Sequence, residues 1–96
     1  MLIKAGVDIS RLKREIRRAL NIMTRVVAVI SEEELVVTST YEGNHSPGSL
    51  HYCNEAVDIR KPAKSEEVAK EIRRKLGYHF VVILERNHIH VGYDPK

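Results

Sequence analysis

Apolar residues recur at three- and four-residue spacing along two segments of the chain, and this period predicts two amphipathic helices. The first is expected over about Ile9–Met23, with Asp8 or Ser10 as its cap. The second is expected over Ser65–Leu76, capped by its own first residue and closed by Gly77. The residues predicted to face inward are Leu12, Ile16, Leu20 and Met23 in the first helix and Val68, Ile72 and Leu76 in the second.

β-Branched residues dominate several of the remaining segments, which is typical of strands. The short Arg86-Asn87 turn between the last two segments predicts a hairpin. Because helices and strands are unevenly interleaved, the pattern favours an α+β fold with a small, mainly antiparallel sheet over a doubly wound parallel one. The predicted strands are Val26–Ile30, Leu35–Thr40, Glu55–Arg60, Tyr78–Glu85 and His88–Tyr93.

Length and cysteine content exclude several classes of protein. The chain has 96 residues, 43% of them hydrophobic and 30% charged, so we expect residues 1–96 to form one domain. A single cysteine excludes an internal disulfide framework and zinc modules built on two or four thiolates. The apolar runs are far shorter than the about 20 residues that span a bilayer. No signal peptide is evident, which predicts cytoplasmic synthesis, as for a phage-encoded enzyme released at lysis.

Basic residues outnumber acidic ones by 16 to 13, for a formal charge of +3. They cluster within the two predicted helices, where the solvated faces of amphipathic helices account for them. An alternative is attraction of nucleic acid or of an anionic cell-wall polymer. Nucleic acid is not favoured, because no aromatic residue interleaves with either cluster. The clusters are Arg11, Lys13, Arg14, Arg17 and Arg18, and Lys70, Arg73, Arg74 and Lys75.

The residues best suited to chemistry lie around the last strand and before the third predicted strand. His88 and His90 are two positions apart, so on a strand they project from one face. Two imidazoles and one carboxylate form a ligand set for a catalytic zinc that leaves a fourth position for water. His51 and Asp58 offer further ligands, and Glu85 precedes the histidine pair as a candidate general base.

Two motifs in these segments resemble those of a known family. The segment 49–58 reads Ser-Leu-His-Tyr-Cys-Asn-Glu-Ala-Val-Asp and resembles Ser-x-His-x-x-Gly-x-Ala-x-Asp of the zinc D-Ala-D-Ala metallopeptidases. The segment 84–91 reads Leu-Glu-Arg-Asn-His-Ile-His-Val and resembles the family's second motif, a Glu followed by a His-x-His pair. The resemblance implies a Zn2+ cofactor and the hedgehog/DD-peptidase scaffold, which this family shares with the amino-terminal signalling domain of hedgehog proteins.

The resemblance also implies roles for particular residues. It implies that His51, Asp58 and His90 ligate the zinc. It implies that Glu85 activates a zinc-bound water and that His88 stabilises the oxyanion of the tetrahedral intermediate. In some members the ligand histidine comes three residues after the Glu, which leaves His88 open as the third ligand instead of His90.

Two departures from the family motifs bear on the backbone and on the substrate. Asn54 stands where the family has Gly, and Asn is the residue besides glycine that best tolerates a left-handed conformation. Glu42 stands where family peptidases carry an Arg that pairs with the substrate's terminal carboxylate, and its charge has the wrong sign. Ser49, placed to orient the first ligand or cap its turn, and Tyr41 are the candidates for substrate binding.

The expected function is that of a small zinc metallopeptidase acting on peptides of bacterial peptidoglycan. It resembles a D-Ala-D-Ala carboxypeptidase or an endolysin-like enzyme, and Glu42 fits an endopeptidase whose substrate has no free C-terminal D-alanine. One alternative is a zinc-binding module of the same fold that has lost catalysis and binds a partner. The other is a basic nucleic-acid-binding protein.

Overall fold

Two helices lie on one side of a five-stranded sheet in the computed structural model, which describes residues 1–40 and 55–94. The strand order is β1-β2-β3-β5-β4, and every neighbouring pair except β1 with β2 is antiparallel. This confirms the predicted α+β class with a mainly antiparallel sheet. The helices are α1 (Arg14–Ser31) and α2 (Ser65–Leu76), and the strands are β1 (Leu2–Ile3), β2 (Val36–Ser39), β3 (Ala56–Arg60), β4 (Phe80–Leu84) and β5 (His88–Tyr93).

The core lies between the helices and one face of the sheet. Alternate residues of the two central strands, Val57 and Ile59 on β3 and Ile89 and Val91 on β5, are fully buried against it. Because side chains alternate along a strand, the residues between them project from the opposite face. The helices contribute the remaining large buried side chains, among them Ile16, Leu20, Met23, Val27, Val68 and Ile72.

The first helix lies further along the chain than the predicted Ile9–Met23. Neither Asp8 nor Ser10 caps it: Asp8 Oδ1 accepts a 2.8 Å hydrogen bond from the Ser10 backbone N–H and so closes a turn ahead of the helix. The N-cap is Lys13, which makes no side-chain capping bond. Asx-type turns of this kind compete with helix formation, and here the turn delays the start of α1.

The predicted strand Val26–Ile30 is wrong, because these residues form the second half of α1. Their β-branched side chains suggested an extended segment, yet their spacing continues the buried stripe of the helix. Val26 and Val27 are 3% and 1% exposed, whereas Val29 on the outer side is 78% exposed. Burial of that stripe exceeds the small intrinsic cost of β-branched residues in a helix.

The second half of the chain follows the prediction closely. The bounds of α2 match, and Gly77 closes the helix at φ +85° while its N–H donates to the Arg73 carbonyl at 3.0 Å. The residue at the N-cap is Lys64 rather than Ser65, so the predicted cap is wrong. Strand β1 was not predicted, since two residues are too few to show a period. Among the described residues no helix has the length and apolar character needed to cross a membrane.

Candidate metal centre

Strands β3 and β5 lie side by side and carry polar residues of both sequence motifs. Their register places Asp58 directly opposite His90, and Arg60 opposite His88. Directly opposed residues of an antiparallel pair point to the same side of the sheet. Asp58, His88 and His90 therefore share the face that the helices do not cover, which we call the open face.

The carboxylate of Asp58 contacts both histidine rings of this cluster. Its Oδ1 lies 3.1 Å from His90 Nδ1, and its Oδ2 lies 3.7 Å from His88 Nε2. The side chains are 13% exposed for Asp58, 19% for His90 and 31% for His88. The carboxylate is thus the most enclosed of the three, and the His88 ring is the one most open to a bound molecule.

The distances within the cluster suit zinc ligation. Ligands held about 2.0–2.2 Å from zinc in a tetrahedral arrangement are about 3.4 Å from one another. The two distances from Asp58, 3.1 Å to His90 and 3.7 Å to His88, lie on either side of that value. Within residues 1–40 and 55–94, however, no group of three or more His, Cys, Asp or Glu side chains is arranged to hold a metal ion. The two distances from Asp58 are therefore close to ligand spacing, and a complete centre requires a further ligand and a rearrangement of the Asp58–His90 hydrogen bond.

A neighbouring amide orients the His88 ring. His88 Nδ1 lies 2.8 Å from the Asn87 side-chain oxygen, and with that oxygen as acceptor Nδ1 holds a hydrogen. The opposite nitrogen, Nε2, is then directed toward Asp58. In the neutral ring it offers a lone pair, as a ligand requires, and in the protonated ring it donates, as an oxyanion partner requires. The contact with Asn87 thus holds the His88 ring with Nε2 toward Asp58.

Glu85 lies where β4 turns into β5. Its backbone N–H donates to the His88 carbonyl at 2.9 Å, which continues the strand pairing by one position beyond Leu84 and Ile89. By that register Glu85 is opposite His88, on the open face, and it is exposed. The hairpin therefore places the backbone of the predicted general base directly opposite that of His88.

The predicted ligand His51 and the predicted substrate-binding residues Ser49 and Tyr41 lie outside the described residues, as do Glu42 and Asn54. The ends of that segment are nevertheless placed. β2 ends beside the cluster, with Ser39 opposite Asp58, and the described chain resumes at Glu55, one residue before β3. The described residues on either side of the gap therefore belong to β2 and β3, the strands that pair at Asp58.

Two neighbours of the cluster were not identified from the sequence. Thr38 Oγ1 donates to the Asp58 backbone carbonyl at 3.3 Å, across a pairing of β2 with β3 whose register shifts between Val37 and Ser39. No local pattern reveals such a shift. Arg60 is exposed on the open face opposite His88, and its two-residue spacing from Asp58 was a usable signal for that placement.

No protein-family model matches the chain, and no curated protein matches it.

Proposed function

We propose that this chain is a zinc-dependent metallopeptidase of the D-Ala-D-Ala metallopeptidase type. The observation that carries the proposal is the convergence of Asp58, His88 and His90 on the open face, with Glu85 at the adjacent turn. Asp58 comes from the first sequence motif, and Glu85, His88 and His90 come from the second, at least 27 positions later in the chain. A chance match to either motif would not by itself bring the residues of the two motifs together in the fold.

The residues that would hold zinc are Asp58, His90 and His51. His90 is preferred over His88 because it lies directly opposite Asp58, is closer to the carboxylate and is less exposed. When bound, zinc supplies a Lewis acid that polarises the scissile carbonyl and lowers the pKa of its water toward about 7. Imidazole and carboxylate also bind other divalent ions, so the identity of the ion as zinc is itself part of the proposal.

The remaining chemistry falls to side chains of the open face. Glu85 accepts a proton from the water that attacks the carbonyl carbon, and passes it to the amine nitrogen as the C–N bond breaks. The products are a carboxylate and a free amine. His88 in its protonated form donates from Nε2 to the oxygen that gains negative charge, held in place by Asn87.

We further propose that the substrate is a stem peptide of bacterial peptidoglycan. The support is the sequence resemblance, with Ser49 and Tyr41 as the substrate-binding residues. Glu42 in place of the family Arg favours cleavage within the peptide over release of a terminal D-alanine. Such activity fits an enzyme made in the cytoplasm of an infected bacterium and released at lysis.

A second candidate function is a zinc-binding module that binds a partner without catalysis, and Glu42 also favours it. Both candidates need the metal, but only the peptidase needs a base. Glu85 therefore separates them.

The test measures zinc content and peptidoglycan digestion for the wild type, Glu85→Gln and a matched control, Glu66→Gln. Glu66 is an exposed acid in the first turn of α2, remote from the open face. We expect about one zinc per chain in all three, and a loss of turnover of about 10²–10⁴-fold for Glu85→Gln alone. Zinc binding with no digestion by any of them would support the partner-binding module. No zinc in the wild type would overturn both functions.

A further inference from the structure

A groove runs between α1 and α2 on the outer side of the helix layer, away from the open face. Three adjoining depressions form it, and Lys75 of α2 lines all of them. One wall of the groove is a stripe of α1 residues at three- and four-residue spacing. This stripe extends over about 21 Å of the helix. That stripe comprises Glu15, Arg18, Ile22, Arg25 and Val29, and the opposite wall includes Glu71, Leu76 and Phe80.

The floor of the groove is apolar. Ile22 is half-buried between two of the depressions, and Val29 is 78% exposed at one end. Val26 and Ala19 lie beneath them and belong to the core. Together with Ile22, Val29 offers apolar surface that a bound apolar side chain would remove from water.

The rim of the groove is cationic. Arg18, Arg25 and Lys75 are exposed and form no ion pair within 4.0 Å in the described residues, although the charge of Lys75 contributes to lowering the pKa of Glu71. The two acids of the groove are already paired with cations. Glu71 accepts hydrogen bonds of 2.7 and 3.0 Å from Arg74, which lower the pKa of its carboxyl, and Glu15 lies 4.0 Å from Arg14.

These features select among possible occupants. A linear groove with an apolar floor and a cationic rim complements a rod that carries apolar side chains on one stripe and carboxylates beside them. A nucleic acid would use the cations but not the floor, and the only aromatic lining the groove, Phe80, packs on Tyr93 at 5.1 Å between ring centroids within the described chain. A flat lipid surface does not fill a groove.

We propose that the groove between α1 and α2 binds an acidic amphipathic helix of a partner protein. A helix of about 14 residues matches its length. The inference does not depend on the metal centre, because the groove and the open face lie on opposite sides of the sheet.

The test uses fluorescence anisotropy with a labelled peptide of about 15 residues that has leucines at three- and four-residue spacing and glutamates between them. A scrambled peptide of the same composition, duplex DNA and anionic vesicles are the competing probes. The double variant Arg25→Glu/Lys75→Glu reverses two of the three rim charges, and Val29→Ser removes floor contact at an exposed position. Arg17→Glu is the matched control, an exposed cation of α1 outside the groove.

We expect the amphipathic peptide to bind better than the scrambled one. The double variant should weaken binding about tenfold or more, and Val29→Ser about threefold. Arg17→Glu should change it less than twofold, with circular dichroism confirming that each variant is folded. Equal weakening by Arg17→Glu, no effect of Val29→Ser, or tighter binding of DNA or vesicles than of the peptide would each overturn the proposal.

Discussion

Around the histidine pair, the two faces of β5 differ in burial although they share one backbone. Toward the helices, Ile89 and Val91 of β5 are fully buried. One residue away on the open face, His88 and His90 keep 31% and 19% of their side chains exposed. The strand alternation thus places the core on one face and the proposed ligands on the other, so a change to a proposed ligand leaves the buried side chains in place.

The largest effect on stability should come from the buried face. Ile89→Ala removes a fully buried side chain and is expected to lower the free energy of unfolding by about 2–5 kcal/mol. Its neighbour His90→Ala removes one hydrogen bond to Asp58 and should cost about 1 kcal/mol in metal-free protein. Urea denaturation with a chelator present measures both. Similar losses at the two positions would contradict the separation of the faces.

Metal should stabilise the protein through the open face alone. Zinc at 100 times its dissociation constant is expected to raise the free energy of unfolding by about 2.7 kcal/mol. Asp58→Asn keeps the shape of the side chain but removes the charged ligand, so this gain should disappear. Asp94→Asn, a half-buried acid just after β5, is the control and should retain the gain. Equal stabilisation of Asp58→Asn and wild type would exclude Asp58 as a ligand.

The fold could be predicted where the hydrophobic period and the local turn chemistry agree. The second helix and the final hairpin are of this kind, since Gly77 and the Arg86-Asn87 turn bound segments of clear period. The prediction of the first helix was wrong in its bounds because two local sequence signals were misleading. Asp8 resembled a cap but closes a turn with Ser10, and the valines near residue 27 resembled a strand but are held in the helix by burial.

The candidate site could be predicted only in part. The spacing of His88 and His90 indicated one face of a strand, which the pairing with β3 confirms. The hydrophobic period does not show which strand pairs with the strand of His88 and His90, because strand order depends on the packing of segments that are distant in sequence. The contact of Asp58 with both histidines and the bond from Thr38 across a shifted register are therefore properties of the fold.

Within the open face, the two histidines should differ in their effect on metal affinity. His90→Ala removes a proposed ligand and should weaken zinc binding more than 100-fold, whereas His88→Ala should weaken it about 10- to 100-fold. Competition with a chromogenic chelator measures both constants. A larger loss for His88→Ala would assign the ligand role to His88 and leave His90 to orient Asp58 through their 3.1 Å contact.

The smallest expected effect lies at the boundary between the helix layer and the sheet. Lys13, at the start of α1, forms a 2.7 Å ion pair with Glu55, just before β3, and the two side chains are 52% and 22% exposed. An exposed pair of this kind contributes about 0.2–1 kcal/mol and is screened by salt. Lys13→Met should therefore lower the free energy of unfolding by less than about 1 kcal/mol, and the difference should shrink in high salt.

Lys70→Met is the control for that measurement, because Lys70 is an exposed lysine of α2 with no ion pair in the described part of the chain. If Lys13→Met reduced zinc affinity as well as stability, the ion pair would set the position of β3 and hence of Asp58. The two faces would then be coupled through the end of the strand. Unchanged zinc affinity in Lys13→Met would mean that the pairing of β3 with β5 and the buried face of β3 position Asp58, and that the ion pair does not.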